Sequence, residues 1–202
     1  MRQCLVSFFA CLVVLLSGVV RAEDIYALTV TNSLVRVSTD NPALVISSVA
    51  ITGLQSGESL VGIDFRPNTG QLFGVGNSSR VYIINVTSGV ATAVGATPFS
   101  PVLLGTAFGV DFNPTVDRIR VVSDTGQSLR LNPNDGTVAG DDTVLAYAQL
   151  DPSFGAVPRV VASAYSDNFP GSTTTTLYSI DSTQDTLVTQ GSLNAVVSPN
   201  GG

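Results

Sequence analysis

GIDFRPNTGQLFGVGNSSRVYIINVTSGVATAVG, residues 62–95, is echoed by GVDFNPTVDRIRVVSDTGQSLRLNPNDGTVAGDD, residues 109–142, at a constant offset of 47 and without a gap. Gly62, Asp64, Phe65 and Pro67 recur as Gly109, Asp111, Phe112 and Pro114, and Asn85 and Gly89 recur as Asn132 and Gly136. A fixed period of this length marks an architecture of stacked units, each burying its apolar face against the next. Within the first copy, apolar runs of strand length (60–65, 71–75, 80–86 and 90–95) are separated by Pro67-Asn68-Thr69-Gly70, Asn77-Ser78-Ser79 and Thr87-Ser88-Gly89. Clusters of this kind are turn chemistry. The second copy runs the same course through 108–112, 118–123, 128–132 and 137–139, with Asp135-Gly136 as its last hairpin turn. Four antiparallel strands per period of about 45 residues is the signature of a propeller blade.

Weaker copies flank these two. Residues 25–30, 34–38 and 44–51 read as strands two to four of an earlier unit. Residues 161–166, 177–180 and 186–189 read as the same three strands of a later one, its hairpin lengthened by the Thr-rich 172–176. Val144–Ala148 reads as a further strand, and the stretch around Pro152 and Pro158 as loop. The expected fold is all-β: a β-propeller-like array of about four antiparallel four-stranded blades in one domain, residues 23–202. The first unit lacks an innermost strand and no strand follows Pro199-Asn200-Gly201-Gly202, so the expected ring is incomplete, with the chain stopping short of closure.

Residues 1–22 read as a signal peptide. Arg2 supplies a positive start, 4–20 is an apolar run short for a membrane span, and Val20-Arg21-Ala22 places small residues at the outer positions of a cleavage site after Ala22. Both cysteines and the sole Met fall inside that segment; the remaining 180 residues contain no Cys, His, Lys, Met or Trp. Such a chain has no disulfides and must be held by packing. Thiol, Ser-His-Asp and Schiff-base chemistry are excluded with it. No metal or cofactor is expected; zinc, copper, haem and iron–sulfur sites want His or Cys, which leaves calcium as the one weakly indicated ion. The whole chain carries a net charge of −6, and without Arg2 and Arg21 the balance is seven Arg against fifteen acids. An acidic chain argues against nucleic acid and anionic membrane surfaces as partners.

The segment AFGVDFNPTVDRIRVVSDTGQSLRLNPNDGTV, residues 107–138, resembles a family of exported, mostly bacterial proteins known as domain of unknown function 4394. IYALTVTNSLVRV, GLQSGESLVGIDFRPNTGQLFGVG and VVASAYSDNFPGSTTTTLYSID are similar to it as well, so the likeness covers nearly everything from Ile25 onward. It implies a propeller-like all-β domain and an exported location, and it brings no activity or catalytic residue. Members of the family continue beyond the position of Gly202 with further strand-forming sequence, which again implies an unclosed ring.

Few side chains remain that could carry chemistry. Asp64 and Asp111 occupy equivalent places, beside Gly62 and Gly109, on the expected innermost strands. As a pair near a central channel they could do acid–base work on a glycan or bind calcium. As a recurring position they read instead as scaffold, satisfying backbone donors at the turns into Pro67 and Pro114. Arg118, Arg120 and Arg130 break the pattern, since the earlier copy has Gln71 and Phe73 at the first two places. Arg118 and Arg120 share one strand face, with Asp111, Asp117 and Asp124 near in sequence. Two readings follow: an anion or carboxylate cradle, with Arg118, Arg120, Arg130 and Asp124 as binding residues, or an Arg–Asp ladder knitting strands together. The acid-rich 132–142 lacks the ligand spacing of an EF-hand and reads as a turn and loop. Tyr82, Tyr147, Tyr165 and Tyr178 could stack on sugars or fill the core.

The expected function is a non-catalytic secreted or periplasmic module that binds a small ligand, glycan or protein partner through its loops. A carboxylate-based enzyme acting on polysaccharide, and a structural segment of a larger surface protein, are the alternatives.

Overall fold

The structure is a computed structural model that describes residues 23–202. The expected signal peptide and its cleavage point lie outside the described residues. The described residues form fourteen strands and two short 3-10 turns, Leu193–Ala195 and Pro199–Gly201. The strands make four antiparallel sheets, each a run of consecutive chain neighbours. The first sheet is β1 (Asp24–Leu28), β2 (Ser33–Ser38) and β3 (Asn41–Ala50). The second is β4 (Leu60–Phe65), β5 (Leu72–Gly76), β6 (Arg80–Ile84) and β7 (Ala91–Val94). The third is β8 (Phe108–Asn113), β9 (Arg118–Ser123), β10 (Ser128–Leu131) and β11 (Val138–Asp141). The fourth is β12 (Val160–Tyr165), β13 (Leu177–Asp181) and β14 (Thr186–Gln190).

The hairpin turns follow the spacing read from the sequence. Gly89 and Gly136 both sit at a φ of 73°, and each donates its amide to the carbonyl of the Asn four residues earlier, Asn85 and Asn132. Neither site admits a side chain: a Cβ on Gly89 would lie 2.2 Å from the Ala50 oxygen, and on Gly136 2.2 Å from the Val94 oxygen. Each turn therefore touches the end of the outermost strand of the preceding sheet.

The apolar residues fill three cores between successive sheets. Leu34, Leu60, Leu72, Tyr82 and Ile84 gather between the first and second. Phe73, Val81, Phe112, Val121 and Leu131 gather between the second and third, where Phe73 and Phe112 meet edge to face with ring centroids 5.2 Å apart. Val122, Leu145 and Val160 form a smaller core toward the fourth. β5 is buried along its whole length because both of its faces are covered.

Two expectations change. Residues 160–165 are not the second strand of their unit. β12 lies against β8 as β8 lies against β4, and it receives the same inter-sheet hydrogen bond, so it is the first strand of the fourth sheet. The period is longer there, and the sequence lacks the Gly-x-Asp-Phe mark that would have set its register. Val144–Ala148 forms no strand: Leu145 is buried, and its amide bonds Gly126 without joining a ladder.

Candidate functional site

Three places gather polar chemistry. The first is the seam where β4, β8 and β12 run side by side. Gly62 and Gly109 make this approach possible, since a Cβ on Gly62 would lie 2.5 Å from Val110 Cγ2 and one on Gly109 2.5 Å from the Ser163 amide nitrogen. Asp64 Oδ1 accepts the Phe65 amide at 2.7 Å, and its Oδ2 accepts the Phe112 amide, also at 2.7 Å. Asp111 Oδ2 accepts the Tyr165 amide at 2.7 Å. The expectation that these carboxyls satisfy donors at the turns into Pro67 and Pro114 is thus corrected: they join one sheet to the next. The two carboxyls also act on each other's titration. Burial raises both pKa values. On Asp111 the neighbouring Asp64 charge adds to burial and pushes the group up to about 9, so the two carboxyls share a proton at neutral pH.

The second place is the row Asp111, Arg120, Arg130 and Gly140, directly opposed across β8 to β11. Arg120 is 1% exposed. Its Nη1 donates to Ser128 Oγ at 2.9 Å and Asp142 Oδ2 at 2.5 Å, and its Nη2 to Asn200 Oδ1 at 2.6 Å. Arg130 grips the same Asp142 through Nε and Nη2, the latter 2.8 Å from Oδ1. Gly140 leaves the space that this guanidinium takes, for a Cβ there would lie 2.3 Å from Arg130 Nη2. That pairing holds the Arg130 pKa above its ordinary value.

Of the four residues expected to form an anion cradle, the structure brings together Arg120 and Arg130 only. Both are committed to Asp142, a residue that sequence reading placed in a solvated loop. Arg118 lies apart, half-buried, donating to the carbonyls of Val116 and Asp117. Asp124 is also separate; it accepts the Thr106 amide and hydroxyl, which hold its pKa below the usual carboxylate range. Two charged groups went unsingled in the sequence. Arg66 binds Asp117 across sheets, its Nε 2.8 Å from Oδ1. Glu58, 7% exposed, accepts from the Gln55 and Ser78 amides and from the hydroxyls of Ser78 and Tyr82. Burial, followed by that bond, pushes the Tyr82 phenol up to about 12. Tyr82 and Tyr165 are buried, and Tyr147 donates to Asp181 at 2.6 Å.

The third place is a groove of about 490 Å³ bordered by β14 and the segment 145–148. Leu145, Tyr147, Val188 and Val197 supply its apolar lining. Gln190 is among its lining residues, and its Nε2 donates to Ser128 Oγ at 3.2 Å and to the Pro199 carbonyl at 2.7 Å. Its Oε1 is buried with no hydrogen-bond partner among the described residues. Buried polar atoms are seldom left so. The sequence carried no signal for this groove, because its walls come from two separate segments, within 145–160 and 179–202.

Among the described residues no cluster of three or more His, Cys, Asp or Glu is placed to hold a metal, and no helix is long and apolar enough to cross a membrane. A family model described as a domain of unknown function (DUF4394) matches residues 33–202. No curated protein matches. Among solved structures, dihydro-heme d1 dehydrogenase NirN in complex with DHE is similar, with a TM-score of 0.42 and 12% identity over 84% of this chain and 35% of that one. The chain thus spans about a third of the length of that relative.

Proposed function

The chain belongs to the DUF4394 family, and on that premise we propose that it is an exported, non-catalytic, propeller-like module that binds a ligand or protein partner. In this reading the four sheets are blades, β4, β8 and β12 are the strands nearest the axis, and the sequence of residues 1–22 directs export. The observation that carries the binding role is the groove beside β14, with Leu145, Tyr147, Val188 and Val197 on its apolar side and Thr189 and Ser192 among its polar lining. A mostly apolar concavity with a few convergent polar atoms is the usual form of a ligand site. The net charge of −6 favours a neutral or cationic partner over nucleic acid.

The Asp64–Asp111 pair supports the absence of catalysis. Glycoside hydrolysis needs its two carboxyls about 5–9.5 Å apart, with sugar or water between them. Here backbone amides already occupy three of the four oxygens, both on Asp64 and Oδ2 on Asp111, and each carboxyl acts on the titration of the other.

A thermal-shift screen with neutral oligosaccharides, short uncharged peptides and calcium chloride tests the reading, since a ligand selective for the folded state raises the melting temperature. The expected result is a stabiliser whose effect is lost in Ala148→Trp, which fills the groove from its exposed rim. A flat response across the panel, or a shift indifferent to that substitution, would overturn it.

A further inference from the structure

The second and third sheets share one turn frame and differ in the side chains around it. The turns after β6 and β10 keep the same pair, Asn85 with Gly89 and Asn132 with Gly136. At this end of the third sheet the polar side chains are bonded locally. Asn132 Nδ2 donates to Asp135 Oδ2 at 2.8 Å, and Asp135 Oδ1 accepts the Thr137 amide and hydroxyl. Arg118 donates to carbonyls of its own turn. In the second sheet Ser88 stands where Asp135 does, and Gln71 where Arg118 does. Asn85 Oδ1 accepts the Thr87 and Ser88 amides, both at 3.0 Å. Its Nδ2, like the hydroxyls of Thr87 and Thr92, has no hydrogen-bond partner among the described residues, and Gln71 bonds only through its backbone. All four side chains are exposed, and they line one groove of about 480 Å³ whose walls fall within residues 70–92.

We propose that this groove is a second binding site and that it takes a neutral saccharide. It is separate from the groove beside β14 and does not depend on it. Among the described residues no charged side chain lines it, so neither an anion nor a metal ion finds a counter-charge there. Amides and hydroxyls supply both donors and acceptors, as sugar hydroxyls do. Ile83 and Val90, the latter 47% exposed, offer aliphatic surface to the C–H face of a pyranose ring. The register holds this set together: Leu72 opposite Ile84 brings Gln71 beside Asn85, and Ile83 lies opposite Thr92. A peptide docks as an added strand through backbone bonds. The backbone around this groove is already bonded. β5 and β6 have strands on both sides, the Asn85 and Gly89 amides donate within the turn, and the Ala91 amide donates to the Thr52 carbonyl.

Titration calorimetry of the purified protein with maltotetraose, cellotetraose, chitotetraose and mannotetraose tests this. The expected result is binding of at least one of them. Gln71→Arg combined with Ser88→Asp gives the second sheet the residues that the third carries on the same frame, and should weaken binding about tenfold or more. Thr92→Val, an exposed change of similar volume, should weaken it about threefold. Unchanged melting temperatures show that both variants are folded, and Ala148→Trp should leave binding intact. No binding of any of the four, or binding indifferent to both variants, overturns the proposal. Saccharide binding lost only in Ala148→Trp overturns it and leaves the groove beside β14 as the site. An uncharged Gly-Ser tetrapeptide that binds in place of the saccharides, and is lost in the double variant, overturns the ligand class. Calcium or peptide stabilisation abolished by Ala148→Trp, with no saccharide bound, strikes this site alone and leaves the binding module standing.

Discussion

Asp64 Oδ2 and the amide of Phe112, 2.7 Å apart, tie the edge of one four-stranded sheet to the edge of the next. Asp111 and Tyr165 repeat the tie toward the fourth sheet. One residue type at one strand position thus does the same structural work at two successive seams, and the two carboxyls end up beside each other.

That proximity sets a pH dependence. An acid whose pKa rises on folding holds its proton more tightly in the folded state, so the contribution of Asp111 is full below about pH 4. It is lost as the pH climbs toward about 9, the folded-state value. The melting temperature should fall across this window, with a slope from this group of at most about 1.4 kcal/mol per pH unit. Asp111→Asn, which keeps an acceptor for Tyr165 and a donor for Asp64, should flatten the slope and raise stability at pH 8. Thermal denaturation from pH 4 to 9 checks both, and an unchanged slope in the variant would refute the shared proton.

Asp64→Asn should behave in the opposite way. Asp64 accepts two amides on two different oxygens, and an amide side chain can accept on only one. The expected cost is about 1–3 kcal/mol of unfolding free energy, measured by urea denaturation near neutral pH.

Asp142 answers two guanidiniums, one of them 1% exposed. Asp142→Ala would leave Arg120 buried without its counter-charge and should cost about 3–5 kcal/mol. Arg118→Ala should change stability by less than about 0.5 kcal/mol, since that side chain bonds only its own turn. Paired denaturant curves distinguish the two, and equal effects would mean that Arg120 is not the structural member of the trio.

Gly62→Ala and Gly109→Ala should both destabilise by crowding the seam, by about 1–3 kcal/mol. Gly109→Ala should be the worse, because its Cβ would meet the Ser163 backbone, whereas that on Gly62 meets a Val110 side chain that can shift. Comparison of melting temperatures orders them.

Tyr82→Phe should cost about 1–3 kcal/mol by stripping the buried Glu58 of one of its two hydroxyl donors. Spectrophotometric titration should lose, in the same variant, one tyrosine that ionises near 12.

The sheets were legible in the sequence wherever turn residues marked their limits. Gly89 and Gly136 must be glycine because a backbone carbonyl lies where a Cβ would be, and that demand shows as a fixed 47-residue spacing. The role of Arg120 was half legible. That it departs from Phe73 of the earlier copy is visible in the letters; that Asp142 and Asn200 complete its bonding is not, since they lie 22 and 80 residues away. Local rules govern turns and strand alternation, and those the chain determined alone: an all-β fold, its hairpins and the chemistries it lacks. Which strand of the last sheet faces β8, which carboxyls share a proton and which acid answers Arg120 depend on contacts between distant segments. Those were decided only when the sheets packed together, because burial and charge proximity are properties of the assembled sheets.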